Sequence, residues 1–435
     1  MQYNLQTRPR SEVEIEVVVP FSEFEPHVKR AAVLISEETE IKGFRKGKAP
    51  YEKVKEAAGE AAIYERAADV AVRKTCQKVM EELVTSNQLP ASRPPIGKPE
   101  ITVTKLAPAN EFQYKIKLAL LPEVTLPDYK TIARRVQKEK KDVAVSDEEV
   151  AQTIEWLRNS RAPLVTVDRP AEKDDSVEID FEVRHGGVKL EGGDSKNHPL
   201  VIGKNKFMPG FEDNLIGMKA REEKTFSLVA PEGWHEKALA GKELEFKTAM
   251  RLVQERHLME VNDDFAKTLG NFESLEALQG NIRNGLMKEK GEKETQRVRS
   301  LIIEEVAKNA KMEIPEALVS SELEKMTVDF RSNIEQMGMR WEDYLTHIKK
   351  SFEDLKKEWR PEAEKRVRIA LCLREIAEKE KIEASEEEVK ARADEFLRQF
   401  RSVADAEKKI DLDQLLEYTR GIVRNEKVFE FLEKV

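Results

Sequence analysis

The first part of the chain mixes strand and helix patterns. An apolar residue stands at every second position from Val13 to Val19, the period of a half-buried strand. Similar runs follow at 101–106 and 112–120, separated by a turn at Pro108. The segment 61–86, rich in Ala, Glu, Val and Arg, has a helical pattern. These patterns predict an α+β domain with three strands packed on helices.

The middle of the chain changes character after a proline-containing, charged linker. Ser146 and Glu149 have the spacing of a capping box, which predicts the start of a short helix. Nine of the 19 glycines then fall between Gly186 and Gly241. Alternating runs at 177–183 and 244–252 predict a compact antiparallel β domain.

From about residue 253 the pattern becomes helical. Residues 301–435 contain only two glycines, and Pro315 and Pro361 stand where a proline in the first turn would start a helix. The fold class is therefore multidomain α+β. The predicted division is an N-terminal α+β domain, a linker with a short helix, an antiparallel β domain and a long helical C-terminal domain, at 1–111, 112–160, 161–252 and 253–435.

Composition and charge argue against membrane proteins, secreted proteins and disulfide-stabilised proteins. The 435 residues carry 75 basic and 83 acidic side chains, a net charge of −8, and no run approaches the ~20 apolar residues of a membrane span. The N-terminus lacks the apolar core of a signal peptide. Cys76 and Cys372 lie far apart and form no CxxC pair. We therefore expect a cytoplasmic protein with no membrane partner and no disulfide scaffold.

Common catalytic motifs are missing from the sequence. None of the four Gly-Lys pairs has the spacing of a phosphate-binding loop, and the six histidines form no HExxH motif. No GxSxG turn is present. Nucleotide hydrolysis, metallohydrolysis and serine-type acyl transfer are unsupported, and we expect neither a cofactor nor a metal.

One short basic segment carries candidate binding chemistry. Residues 41–50 (IKGFRKGKAP) hold four cations and no anion, with glycines and a proline that favour a loop. Phe44 beside Arg45 and Lys46 suits docking to a surface of RNA phosphates and protein, because the cations neutralise backbone charge while the ring packs. The alternative is an ordinary basic turn with Phe44 folded inward.

The run GFRKGKAP at 43–50 resembles the ribosome-docking signature of the trigger factor family of bacterial chaperones. The resemblance covers the whole chain and implies an N-terminal ribosome-binding domain, an FKBP-like middle domain and a helical C-terminal domain with arms. It implies docking through Phe44, Arg45 and Lys46. It further implies that Gly43, Gly47 and Pro50 shape the loop. The implied partners are ribosomal protein and RNA near the tunnel exit, nascent and unfolded polypeptides, and a second copy of the chain off the ribosome.

The segment Gly203–Met218 looks like the core motif of FKBP-type peptidyl-prolyl isomerases. The resemblance implies a proline pocket with Phe211 as its floor. The lining residues would be Phe181, Phe207, Met208, Phe211, Trp234 or His235, and Phe246. Leu190 and His198 stand where the family usually has aromatic residues, so the resemblance implies a thinner pocket wall and weak activity.

Such an isomerase needs no nucleophile. Rotation about an X–Pro bond faces a barrier of ~20 kcal/mol because amide resonance is lost, and a dry aromatic pocket favours the twisted state. Plain β-core packing of the same aromatics is the alternative. We expect an ATP-independent, ribosome-associated chaperone with auxiliary isomerase activity that acts in protein folding, protein export and cell division. The alternatives are a free prolyl isomerase with substrate-recruiting flanks and a purely structural helical scaffold.

Overall fold

A computed structural model describes residues 1–86, 88–89, 92–234, 239–398 and 411–435. The chain forms two compact units. One contains Met1–Lys140 and Thr295–Val435, and the other contains Lys141–Glu294. Each unit is described by itself below.

The first unit begins with an antiparallel sheet of four strands. These are β1 (Gln2–Arg8), β2 (Glu12–Val19), β3 (Pro95–Lys105) and β4 (Phe112–Leu120), in the order β1-β2-β4-β3. The prediction of three strands was wrong, because β1 is an edge strand with no fully buried residue and therefore shows little apolar alternation. Since β4 pairs with β2 and β3, the sheet continues past residue 111 to residue 120.

Three helices cover one face of this sheet. They are α1 (Phe21–Glu38), α2 (Tyr51–Ala58) and α3 (Glu60–Thr85). The alternating residues of β2 point into the core they form, where Phe24 stacks on Phe112 with ring centroids 4.8 Å apart. The opposite face is held by ion pairs between β2 and β4, such as Lys115 with Glu14 at 2.9 Å. A further helix, α4 (Tyr129–Gln137), follows the sheet.

The second unit is built around the predicted antiparallel β structure. It opens with α5 (Asp147–Ser160), whose predicted capping box between Ser146 and Glu149 is present. The order of its sheet is β5-β9-β6-β7, with β8 paired to β9. The strands are β5 (Leu164–Thr166), β6 (Ser176–His185), β7 (Val188–Val201), β8 (Glu223–Val229) and β9 (Glu243–Arg256). After them come α6 (Asp263–Leu269) and α7 (Leu275–Asn309), a helix that continues into the first unit.

The rest of the first unit is helical, as the sequence predicts. Its helices are α8 (Glu316–Gln336), α9 (Trp341–Ile348), α10 (Phe352–Glu380), α11 (Glu386–Leu397) and α12 (Leu412–Lys434). Pro315 directly precedes α8, as expected. Pro361 instead lies inside α10, contrary to the prediction. The proline is on the exposed side of the helix, where water can bond the carbonyl that loses its N–H partner.

The described part of the chain lacks two features, a membrane-spanning helix and a cluster of metal-binding side chains. Over these residues, no helix combines the length and apolar character that a bilayer crossing requires. The same residues contain no group of three or more His, Cys, Asp or Glu side chains arranged to hold a metal ion.

Candidate functional sites

The basic segment forms a loop between α1 and α2 whose shape is set by its own backbone. The N–H of Phe44 donates to the carbonyl of Ile41 at 3.1 Å, and the N–H of Lys48 donates to the carbonyl of Arg45 at 2.9 Å. Gly47 donates to the carbonyl of Ser36 at 2.9 Å, which ties the loop to the end of α1. Gly43 and Gly47 have φ values of +86° and +76°, a region that favours glycine.

The loop ends at Pro50, which stands immediately before the first residue of α2. Its fixed φ fits a residue at the start of a helix. The two glycines and the proline therefore occupy the positions where the loop turns and where it stops.

This loop presents one aromatic ring and four cations to solvent. Phe44 is 40 % exposed, so it is not folded into the domain, whereas Ile41 at the start of the loop is 8 % exposed and belongs to the core. The cations are Lys42, Arg45, Lys46 and Lys48. All four are exposed, and none of them has an ion pair with any residue that the structure describes.

A cluster of aromatic rings lies within the β structure of the second unit. Its centre is Phe211, which is fully buried. The ring centroid of Phe211 lies 4.2 Å from that of Phe207, 5.2 Å from that of Phe246 and 6.1 Å from that of Phe181. The rings of Phe181 and Phe207 are only partly buried, so the cluster reaches the surface on their side.

Most of the predicted pocket residues belong to this cluster. Met208 is 3 % exposed and lies in the same core, and Trp234 packs against it while partly buried. His235 lies outside the described residues. Sequence reasoning missed Phe226, whose ring lies 5.5 Å from Phe211 and is stacked on Phe246 at 5.6 Å. In β8, Phe226 and Leu228 stand at alternate positions, a pattern that predicts burial of the Phe226 ring.

The two departures from the family pattern have different consequences. The imidazole of His198 lies 5.4 Å from both Phe181 and Phe207 in edge-on contacts, so a ring does occupy this part of the wall. Leu190 packs against the cluster without a ring of its own.

One buried carboxylate holds the loop that carries Phe207. Glu212 is 2 % exposed, and its two oxygens accept hydrogen bonds from four backbone N–H groups between Gly203 and Phe207. The bonds from Gly203, Asn205 and Lys206 measure 2.7–2.8 Å. Charge-assisted bonds of this kind are the strongest available to a backbone amide. Glu212 thereby fixes the wall of the cluster.

The pKa of Glu212 reflects this arrangement. Burial by itself raises the pKa of the carboxyl, but the four N–H donors outweigh burial and hold the pKa below its ordinary value of 4.5. Glu212 is therefore ionised at neutral pH. Glu212 lies within the FKBP-like motif at Gly203–Met218. Its hydrogen bonds to backbone N–H groups of the loop could be identified only from the fold.

Comparisons with known proteins agree with this organisation. A family model described as "Bacterial trigger factor protein (TF)" matches residues 1–157, and one described as "Bacterial trigger factor protein (TF) C-terminus" matches residues 274–434. The model "FKBP-type peptidyl-prolyl cis-trans isomerase" matches residues 167–251, which include the whole aromatic cluster.

Curated relatives extend over nearly the full chain. Trigger factor of Caldicellulosiruptor bescii is 33 % identical over 433 residues, covering 99 % of this chain and 96 % of that protein. Trigger factor of Halalkalibacterium halodurans is 33 % identical over 398 residues, covering 91 % and 90 %. A solved trigger factor chaperone chain aligns at 23 % identity with a TM-score of 0.48, covering 100 % of this chain and 99 % of that one. From the family models and the curated relatives, this chain belongs to the trigger factor family of chaperones and carries an FKBP-type domain.

Proposed function

We propose that the chain is an ATP-independent chaperone of the cytoplasm that docks on the ribosome near the tunnel exit and binds nascent polypeptides. The observation that carries docking is the exposed loop with Phe44 and four cations, none of which forms an ion pair with a described residue. Unpaired cations lose no internal ion pair when they meet phosphates, and a partly exposed ring gains apolar contact on binding.

Each part of the chain has a separate role in this proposal. The sheet and α1–α3 carry the docking loop, the β structure of the second unit carries the isomerase pocket, and α8–α12 provide surface for unfolded chains. Apolar side chains on α8 and at its C-terminal end support the last assignment, since Val328 is 67 % and Met337 is 81 % exposed. Flexible thioethers suit surfaces that accept many sequences.

Alanine substitution of Phe44, Arg45 and Lys46 tests the docking proposal. We expect the triple variant to lose co-sedimentation with ribosomes while keeping its circular dichroism spectrum, because the loop contributes little to the core. The double variant Arg73→Ala/Lys74→Ala, which removes two exposed cations from α3 of the same domain, is the matched control and should still co-sediment. Undiminished co-sedimentation of the triple variant would contradict docking through this loop.

We further propose that the aromatic cluster isomerises X–Pro bonds of client chains. A dry aromatic surface favours the twisted amide, which has lost resonance and carbonyl polarity, over the planar ground state. The missing ring at Leu190 points to modest activity.

The same pocket favours a second candidate function, a free prolyl isomerase whose flanking domains recruit substrates. A protease-coupled assay with a proline peptide, run beside an aggregation-suppression assay, separates the two. Slow turnover of the peptide with strong suppression of aggregation, both independent of ATP, supports the chaperone. Fast turnover of the peptide with no suppression of aggregation supports the free enzyme. Phe211→Ala is expected to lower turnover at least tenfold through loss of the pocket floor, which corresponds to a barrier higher by about 1.4 kcal/mol or more.

A further inference from the structure

Three rings meet where the aromatic cluster reaches the surface. The ring centroids of Phe181 and Phe207 lie 5.1 Å apart, and the imidazole centroid of His198 lies 5.4 Å from each of them. All three contacts are edge-on, with interplanar angles from 80° to 87°. We call these three residues the opening triad. Because their side chains are only partly buried, a proline that enters the cluster from solvent contacts them first.

The strand β7 places the imidazole on the cluster side of the sheet. His198 pairs with Ile179 of β6, and both Ile179 and Leu200 are buried in the core that contains the cluster. Residues two apart on a strand share a face, and so do residues paired across two strands. His198 therefore faces the cluster, and its position is set by the sheet.

The imidazole of His198 also keeps contact with water. Neither of its nitrogens has a hydrogen bond or an ion pair with a described residue, yet neither nitrogen is buried away from solvent. His185 of β6 differs, because its Nδ1 lies 2.9 Å from the carbonyl oxygen of Glu243. In the opening triad, water is therefore what satisfies the polar atoms of His198.

The charged side chains of the elements that pack against His198 do not pair with it. The acidic residues of β6 alternate with the buried ones, so they lie on the face opposite Phe181, and they are Glu178, Asp180 and Glu182. On β7 and the loop before Phe207, the charged side chains that the structure describes are exposed, and they are Lys189, Asp194, Lys196, Lys204 and Lys206. The ion pairs among these groups leave the imidazole out.

A proline that covers the opening triad removes water from this ring. Histidine is the side chain whose charge ordinarily changes between about pH 5 and 8. Loss of water costs a neutral imidazole little, whereas it costs an imidazolium much more. A charge at the pocket wall also favours the planar amide, which has more carbonyl polarity than the twisted one. Both effects disfavour isomerisation when the ring is protonated.

We infer that His198 makes the isomerase pocket pH-sensitive, so that the pocket accepts a client proline when the imidazole is neutral and disfavours it when the imidazole is protonated. The inference rests on the proposed isomerase function and concerns the regulation of that site. An aromatic residue without a titrating group at this position would give no such dependence.

The pH profile of isomerisation by the full chain tests the inference. The substrate is a capped Leu-Pro peptide without ionisable side chains, and NMR exchange measures its turnover without a coupled protease. We expect kcat/KM of the wild-type chain to fall about fivefold from about pH 8 to pH 5, and that of His198→Phe to stay constant. The pKa of Glu212 is held below 4.5, so that carboxylate stays ionised over this range. His257→Phe, the same substitution at an exposed histidine outside the cluster, should keep the wild-type profile.

The outcomes separate the inference from the function on which it rests. A wild-type kcat/KM that is constant or rises on acidification overturns the inference, and so does an equal fall in His198→Phe. Should His198→Phe lack turnover at the upper pH, His198→Gln, which keeps a neutral polar group, takes its place in the same comparison. No turnover by the wild-type chain at any pH of the range overturns the isomerase function itself, and the inference with it.

Discussion

At the scale of single residues, Glu212 contributes more to the structure of the pocket wall than its residue type suggests. A glutamate in a β domain is usually a solvated side chain, yet this one is buried and accepts four backbone hydrogen bonds. It does not contact substrate in the proposed mechanism. It is a positioning residue, because the amides that it binds include that of Phe207.

Replacing Glu212 with Gln should loosen the loop from Gly203 to Phe207. The amide keeps one acceptor but turns an NH₂ group toward backbone donors, so we expect the free energy of opening this loop to fall by about 2–3 kcal/mol. Hydrogen exchange of these loop amides, followed by mass spectrometry, measures the change. Glu222→Gln alters an exposed glutamate whose carboxylate accepts from the N–H of Lys219, a residue outside this loop, and should leave the exchange of the loop amides unchanged.

Acidification should promote opening of the same loop, as Glu212→Gln does. Since the pKa of Glu212 is lower in the fold than its ordinary value of 4.5, its stabilising contribution is complete above that value and is lost as the pH falls through the lowered pKa. Loop opening in the wild-type chain should therefore rise on acidification, and this part of the pH dependence should be missing in Glu212→Gln. An identical pH dependence in both proteins would contradict the role assigned to the carboxylate.

At the scale of elements, periodic segments could be predicted and non-periodic ones could not. The strand β2 and the helix α3 follow their patterns because one face of each is buried. The strand β1 shows no such face, and the place of Pro361 inside α10 depends on which side of that helix meets solvent. The resemblance of Gly203–Met218 to the FKBP motif implied most members of the aromatic cluster. The hydrogen-bond partners of Glu212 and the contact of Phe226 with Phe211 required the fold.

The loop between α1 and α2 depends on its two left-handed glycines. Gly43→Ala and Gly47→Ala should each lower the free energy of unfolding by about 1 kcal/mol, because a Cβ disfavours positive φ. Gly43→Asn and Gly47→Asn should cost less, since asparagine tolerates this region. Urea denaturation of the full chain provides the comparison, and equal costs for alanine and asparagine would mean that the backbone conformation is not the cause.

At the scale of the whole molecule, the first unit joins segments distant in sequence. The N–H of Arg10 donates to a carboxylate oxygen of Glu313 at 2.8 Å, and the hydroxyl of Ser11 donates to the carbonyl of Glu313 at 3.1 Å. Arg360 binds Glu316 through two hydrogen bonds, and Arg10 lies 3.4 Å from the same carboxylate. The N-terminal sheet is thereby attached to the start of α8 and to α10.

This junction should be sensitive to charge. Arg360 beside Glu316 lowers the pKa of that carboxyl, and Glu316→Gln should cost about 1 kcal/mol of unfolding free energy at low salt and less at high salt. Urea denaturation at two salt concentrations measures the difference. Glu335→Gln, which breaks one exposed pair with Arg331 within α8, should cost less than half as much. A loss that does not depend on salt would point to packing instead of charge.

At Ser11, in the turn between β1 and β2, the backbone conformation favours glycine, whereas the hydrogen bond to Glu313 requires a hydroxyl. Arg10 and Ser11 hold φ values of 62° and 55°, which glycine would adopt more easily. Glycine at position 11 would also remove the hydroxyl that reaches Glu313. A relative with glycine there would form its first hairpin with less strain and fasten it less firmly to the segment before α8, and the serine in this chain favours the firmer attachment.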